Sequence, residues 1–128
     1  MNRYAEMYNT IIAIVDDDNA VRTALKSLLR SSGYKVQTYC SALEFLASAP
    51  AETHCLISDI QMPGMSGVEM HKQLVAMGLC IPTILITGYP EAAAHLAADT
   101  PGLVAILPKP CHADRLLSCI ETALLQRH

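Results

Sequence analysis

The stretch Ile11-Ile12-Ala13-Ile14-Val15-Asp16-Asp17-Asp18 is an unbroken apolar run of strand length that stops at three consecutive carboxylates. A run of that kind suits a strand buried on both faces of a parallel sheet, where no polar face is needed. Four further short runs follow at 35–39, 55–58, 83–87 and 103–107. Those at 55, 83 and 103 are nearly continuous in apolar residues and predict doubly buried strands. The run at 35 alternates, as an edge strand does.

Segments of helical period separate the runs. Val21, Leu25, Leu28 and Leu29 mark a first helix ending at Gly33, which suits a left-handed C-terminal cap. Ser41 with Glu44 and Ser66 with Glu69 read as capping boxes, opening a second helix through Leu46 and a third through Leu74 that ends near Gly78. An Ala-rich fourth helix, about 91–99, lies between Pro90 and Pro101 and is expected to be short and weakly packed. Leu116, Ile120, Ala123 and Leu124 form one face of a fifth. Strict strand–helix alternation demands right-handed crossovers, so the fold class is α/β, a doubly wound five-stranded parallel sheet with helices on both faces. The expected strand order, 2-1-3-4-5, is taken from other sheets of this size and class, not from the residues.

Composition agrees with one domain. The chain has 128 residues, 52% apolar and 16% charged, with one Phe and no Trp, so Leu, Ile, Val, Ala and Met must build the core. Disorder is excluded. The formal charge of −3 is spread without a basic stripe, which argues against nucleic-acid contact by this stretch. The longest candidate for a membrane span, 79–87, is too short and contains Pro82. The N-terminus does not read as a signal peptide, so a cytoplasmic location is the default expectation. Five cysteines without CxxC spacing suit reduced, mostly buried thiols better than disulfides or zinc.

In a parallel sheet, whatever follows each strand lands on one edge. Those positions carry Asp16, Asp17 and Asp18, then Asp59, then Thr87, then Lys109 between Pro108 and Pro110. Two unit charges about 5 Å apart repel by roughly 3 kcal/mol at an effective dielectric near 20. A solvated turn with Asp18 or Asn19 capping the first helix accounts for Asp18. Asp16, Asp17 and Asp59 converge without Cys or His, which points to a hard divalent cation, Mg²⁺. Acids, a hydroxyl and an ammonium at adjacent strand ends make a phosphoryl-transfer site. A carboxylate attacking a phosphoryl group needs the cation and the lysine to neutralise the equatorial oxygens.

At this point the chain resembles the receiver domain of two-component response regulators, over about Ile11 to Ala123. The motifs are Ile14-Val15-Asp16-Asp17-Asp18, Ser58-Asp59-Ile60-Gln61-Met62-Pro63-Gly64-Met65-Ser66-Gly67, Ile86-Thr87-Gly88 and Lys109-Pro110. Glu44-Phe45-Leu46 and Ser66-Gly67-Val68-Glu69 are most similar to the FixJ-like subgroup, in which a DNA-binding domain normally follows. The resemblance implies a flavodoxin-like (βα)5 receiver over residues 1–128 with a core of about 11–124. It implies Asp59 as phosphoacceptor, and Mg²⁺ held by Asp17, Asp59 and the Gln61 backbone carbonyl, with Asp16 acting through water. Thr87 and Lys109 would hold the phosphoryl oxygens, and the Lys109-Pro110 bond would be cis.

A sensor histidine kinase or a small donor such as acetyl phosphate would supply the phosphoryl group. The domain would be a signalling module that catalyses its own phosphorylation and dephosphorylation, not a conventional enzyme, with a phosphorylation-linked homodimer among its expected states. Gln61 and Tyr89 flank the expected water path and should tune the acyl-phosphate lifetime. Phosphorylation should draw Thr87 and the Gly88-Tyr89 loop toward Asp59.

One position departs from the family pattern. Ile106 stands where receivers usually place a rotating Tyr or Phe, so signal should leave through the fourth strand and fourth helix without an aromatic step, the isoleucine filling the space behind Thr87. Two rivals share parts of the site. A haloacid-dehalogenase-like Mg²⁺ phosphatase also uses an aspartate pair, a Thr and a Lys, but the acidic pair expected downstream is missing, since only Asp114 and Glu121 follow Lys109. A pseudo-receiver that binds partners without phosphorylation fits Ile106 but not the complete edge. A flavodoxin is the poorest fit, because the acid run would face a phosphate.

Overall fold

The computed structural model describes residues 9–95 and 100–125. Five strands, β1 (Ile11–Val15), β2 (Lys35–Tyr39), β3 (Cys55–Asp59), β4 (Thr83–Thr87) and β5 (Leu103–Pro108), form one sheet in the order β2-β1-β3-β4-β5. Every neighbouring pair is parallel. The helices are α1 (Asn19–Ser31), α2 (Ala42–Ala47), α3 (Gly67–Ala76), α4 (Pro90–Ala93) and α5 (Ala113–Leu125), with a 3₁₀ turn at Pro50–Glu52.

Alternation along each strand splits the core into two layers. Ile12, Ile14, Ile57, Ile84 and Ile86 face Leu25 and Leu29 of α1 and Leu116, Ile120 and Ala123 of α5. Ala13, Val15 and Leu56 point the other way, onto Phe45 of α2 and Met70 and Leu74 of α3. The single phenylalanine is fully buried and meets Tyr39 edge-on at 5.1 Å.

Three local expectations are corrected. Strand β5 is only partly buried, because it forms the second edge of the sheet and lacks a neighbour beyond it. At α2 the Ser41 hydroxyl accepts from Glu44 N–H, but Glu44 reaches back to Cys40 instead of closing the box on Ser41. At α3 the reciprocal Ser66–Glu69 box is complete. The thiols are free but not mostly buried: Cys40 and Cys80 are exposed, Cys111 and Cys119 intermediate, and only Cys55 is buried, its thiol pushed up to about 12 by desolvation. Helix α4 is short, as expected, and buries Ala93; the remainder of the predicted 91–99 span runs into residues outside the described ones.

A polar tie at the amino end of the sheet was not legible in the sequence. His71 of α3 is buried, with Nδ1 at 2.8 Å from Thr83 Oγ1 and Nε2 at 2.5 Å from the Pro101 carbonyl. It joins α3 to the starts of β4 and β5. Replacing it with alanine removes the ring and strips polar groups of their partner, so His71→Ala is expected to lower the unfolding free energy by about 2–3 kcal/mol. Urea titration reads this directly, and a loss under about 0.5 kcal/mol would show that the tie contributes nothing.

Candidate functional site

The carboxyl ends of β1, β3, β4 and β5 bring the predicted residues together. Lys109 Nζ lies 3.0 Å from Asp59 Oδ2 and 3.1 Å from Asp16 Oδ2, bridging two carboxylates delivered by different strands. Asp16, Asp17 and Asp59 each offer an oxygen within 4.8 Å of the others, the one three-acid cluster among the described residues. Asp16 and Asp59 are buried, whereas Asp17, which follows Asp16 in the same loop, is exposed. Lys109-Pro110 is cis.

Backbone amides hold these acids in place. Asp16 Oδ1 accepts from Asp18 N–H at 2.8 Å, and Asp59 Oδ1 accepts from Gln61 N–H at 3.3 Å. Asp18 itself caps α1, accepting from Ala20 and Val21 N–H, so it serves the helix and not the cluster. Burial pushes the Asp16 carboxyl above its ordinary range, against the opposing pull of the Asp18 amide and the Lys109 ammonium. At Lys109 desolvation acts to lower the pKa, but the hydrogen bonds and charges of Asp59 and Asp16 together outweigh it and hold the group above 10.5. The lysine is thus the cation that this acidic pocket carries within its own chain.

Thr87 is fully buried at the end of β4. Its hydroxyl donates to Gln61 Oε1 at 3.1 Å and accepts from Tyr89 N–H at 3.0 Å, while its carbonyl accepts from Lys109 N–H at 2.8 Å. Gln61 therefore touches the site through its side chain, a contact that the backbone-ligand expectation did not include. Tyr89 is 68% exposed. Ile106 pairs in register with Leu85, which precedes Thr87 by two residues on the same face of the sheet, and packs on the small cluster of Ile60, Leu85 and Ala93, while Pro108 is the residue opposite Thr87.

Three residues support the site in roles that the sequence alone did not assign. Arg22, one turn into α1, donates from Nη1 to the Asp16 carbonyl at 2.5 Å and from Nη2 to Asn19 Oδ1 at 3.1 Å, bracing the acidic loop. Ser58 Oγ donates to the Asp59 carbonyl at 2.8 Å. Gly67 lets α3 approach that same carbonyl so closely that an added Cβ would lie 2.3 Å from it. Only the glycine carried a signal, standing at the first position of a helix already marked by its capping box.

A family model, the response regulator receiver domain, matches residues 12–121. This chain belongs to that family. The receiver is 40% identical over 116 residues to the response regulator protein TmoT of Ectopseudomonas mendocina, covering 90% of this chain and 53% of TmoT. It is 36% identical over 116 residues to the transcriptional regulatory protein FixJ of Bradyrhizobium diazoefficiens, covering 90% of this chain and 57% of FixJ. Among solved structures, FixJ-N superposes with a TM-score of 0.78 at 36% identity, covering 91% of this chain and 94% of that one. The receiver thus spans about half the length of the curated relatives it matches. It is the phosphoacceptor module of two-component signalling, a signalling domain with an acidic pocket. No helix among the described residues is long and apolar enough to cross a membrane.

Proposed function

We propose that Asp59 accepts a phosphoryl group, in a Mg²⁺-dependent reaction that the domain itself catalyses, from a sensor histidine kinase or a small donor such as acetyl phosphate. The observation that carries this reading is the Lys109 ammonium held between Asp59 and Asp16 beside a third carboxylate. An Asp59 carboxylate oxygen attacks phosphorus, the bond from phosphorus to the donor's leaving atom breaks, and acetate or imidazole departs. Lys109 faces the oxygens on which charge accumulates, and the Thr87 hydroxyl stands at the neighbouring strand end.

The donor set suits a hard cation, being all oxygen: Asp17, Asp59 and the Gln61 carbonyl would hold Mg²⁺ directly and Asp16 through water. When bound, the ion neutralises charge shared by the nucleophile and the phosphoryl oxygens. Hydrolysis of the acyl phosphate by the same residues would reset the domain, with Gln61 and Tyr89 tuning its lifetime.

Output would pass through β4, the Gly88-Tyr89 loop and α4 to a DNA-binding domain beyond this chain, controlling transcription in the cytoplasm, with phosphorylation-linked homodimers as one route. The similarity to FixJ and TmoT supports that output. The receiver surface itself would make no nucleic-acid or membrane contact.

Incubation with Mg²⁺ and acetyl phosphate tests the reading. One hydroxylamine-labile phosphoryl group per chain, absent from Asp59→Asn, is expected. Steady phosphate release from many esters would instead identify a hydrolase, and no labelling at all a pseudo-receiver. Metal linkage supplies a second check: at 100 times its dissociation constant, Mg²⁺ should stabilise the fold by about 2.7 kcal/mol, raising Tm by roughly 10 °C. The shift should vanish in EDTA and shrink by more than half in Asp17→Asn. An equal shift in that variant would place the ion elsewhere.

A further inference from the structure

We propose that the Gln61 side chain is a latch that holds the Thr87 hydroxyl away from the phosphoacceptor in the unphosphorylated domain, and that phosphorylation acts by displacing it. This rests on the reading of Asp59 as phosphoacceptor. A threonine hydroxyl has one proton to give. Here that proton goes to Gln61 Oε1 at 3.1 Å, so it is not available to a phosphoryl oxygen until the contact breaks.

Gln61 is placed to sense the phosphoacceptor. Its own N–H donates to Asp59 Oδ1 at 3.3 Å, so one residue touches the attacking carboxylate through its backbone and the switch hydroxyl through its side chain. The Thr87 backbone is pinned to β5 through Lys109 N–H at 2.8 Å, leaving rotation about the Cα–Cβ bond as the simplest way to redirect the hydroxyl. Tyr89 N–H rests on that hydroxyl at 3.0 Å, so its rotation reaches the 88–90 loop directly.

The two ends of the latch differ in what they lose on release. Thr87 is fully buried and needs an acceptor within the protein, whereas Gln61 is exposed and its freed amide returns to water. A phosphoryl oxygen carries charge and outcompetes a neutral amide carbonyl for the same proton. The latch therefore releases only when the charged acceptor arrives. Removing the Gln61 acceptor raises the unphosphorylated state relative to the phosphorylated one, which tightens binding of any phosphoryl mimic.

Beryllofluoride with saturating Mg²⁺ reads this on the whole chain. Gln61→Met, which keeps length and removes the acceptor, is expected to bind the mimic about 5-fold more tightly than wild type. In a Thr87→Val background the same change should have no effect, because no hydroxyl remains to be latched, and in Thr87→Ser the tightening should return. Unchanged or weaker binding in Gln61→Met overturns the latch. So does equal tightening in the Thr87→Val background, which would make Gln61 a steric gate. If wild type itself fails to bind beryllofluoride with Mg²⁺, the phosphoacceptor reading falls as well; if wild type binds and the variant pattern fails, the latch falls alone.

Discussion

Replacing Lys109 with methionine is expected to slow phosphorylation from acetyl phosphate by roughly 10²–10³-fold, the range seen when a preorganised donor to a developing oxyanion is lost. Met keeps an unbranched stem of nearly the same length but not the charge, so the buried Asp16 and Asp59 lose the cation that lies 3.1 Å and 3.0 Å away. Without Mg²⁺ the variant should also be less stable by about 1–3 kcal/mol at neutral pH, less than for a fully buried pair because the lysine side chain is 26% exposed.

The pH dependence has a definite sign. The folded Asp16 carboxyl already binds its proton more tightly than its ordinary 3.8, through burial, and the lysine opposes that rise. Loss of the lysine raises it further. The variant's deficit should therefore be smallest below the unfolded value and grow as pH rises through the raised folded value. The wild-type contribution of Lys109 runs the other way: it is present below 10.5 and fades only as pH rises through the higher folded value. Urea midpoints between pH 4 and 8, with and without Mg²⁺, would show the gap opening with pH and narrowing with metal. A gap independent of pH would mean that Lys109 contributes packing and not charge.

Gly67→Ala is the second change with a large expected effect, and it acts through sterics. The new Cβ would meet the Asp59 carbonyl oxygen at 2.3 Å and Ser58 Oγ at 2.9 Å. The nearer contact is main chain and cannot rotate away. Either α3 retreats, breaking the Gly67 N–H to Ile60 carbonyl bond of 3.0 Å, or the end of β3 moves and takes Asp59 with it. A loss of about 3 kcal/mol is expected, or roughly a 10 °C fall in Tm, with phosphorylation reduced at least 10-fold even at temperatures where the variant is folded. Adding Ser58→Ala should restore less than about 1 kcal/mol, since it relieves only the weaker contact. Near-wild-type stability in Gly67→Ala would show that the β3–α3 junction tolerates a shift that its geometry does not suggest.

Several parts of this site were legible because they obey short-range rules. The run from Ile11 to Val15 and its three aspartates placed an acidic loop at a strand end. Ser66 with Glu69 marked the start of α3 through a capping interaction confined to four residues. Residues that act across the chain were less visible. Arg22 gives no local sign that its guanidinium will turn back to the Asp16 carbonyl, and His71 gives none that its ring will meet Thr83 and Pro101. Ile106 carries no ring, and which β4 residues it meets is decided by the register of β4 and β5, which sets it beside Leu85 and sets Pro108 opposite Thr87.

The sequence by itself determined the α/β alternation, the parallel sheet and the set of polar residues delivered to its carboxyl edge, because apolar period and turn chemistry are local properties of the chain. Only the tertiary structure decided how those residues are joined. Lys109 pairs with Asp16 and Asp59 at once, and the Thr87 proton goes to Gln61. Such pairings depend on strand register, helix approach and side-chain rotation, which are set when residues distant in sequence compete for the same space and the same hydrogen-bonding partners.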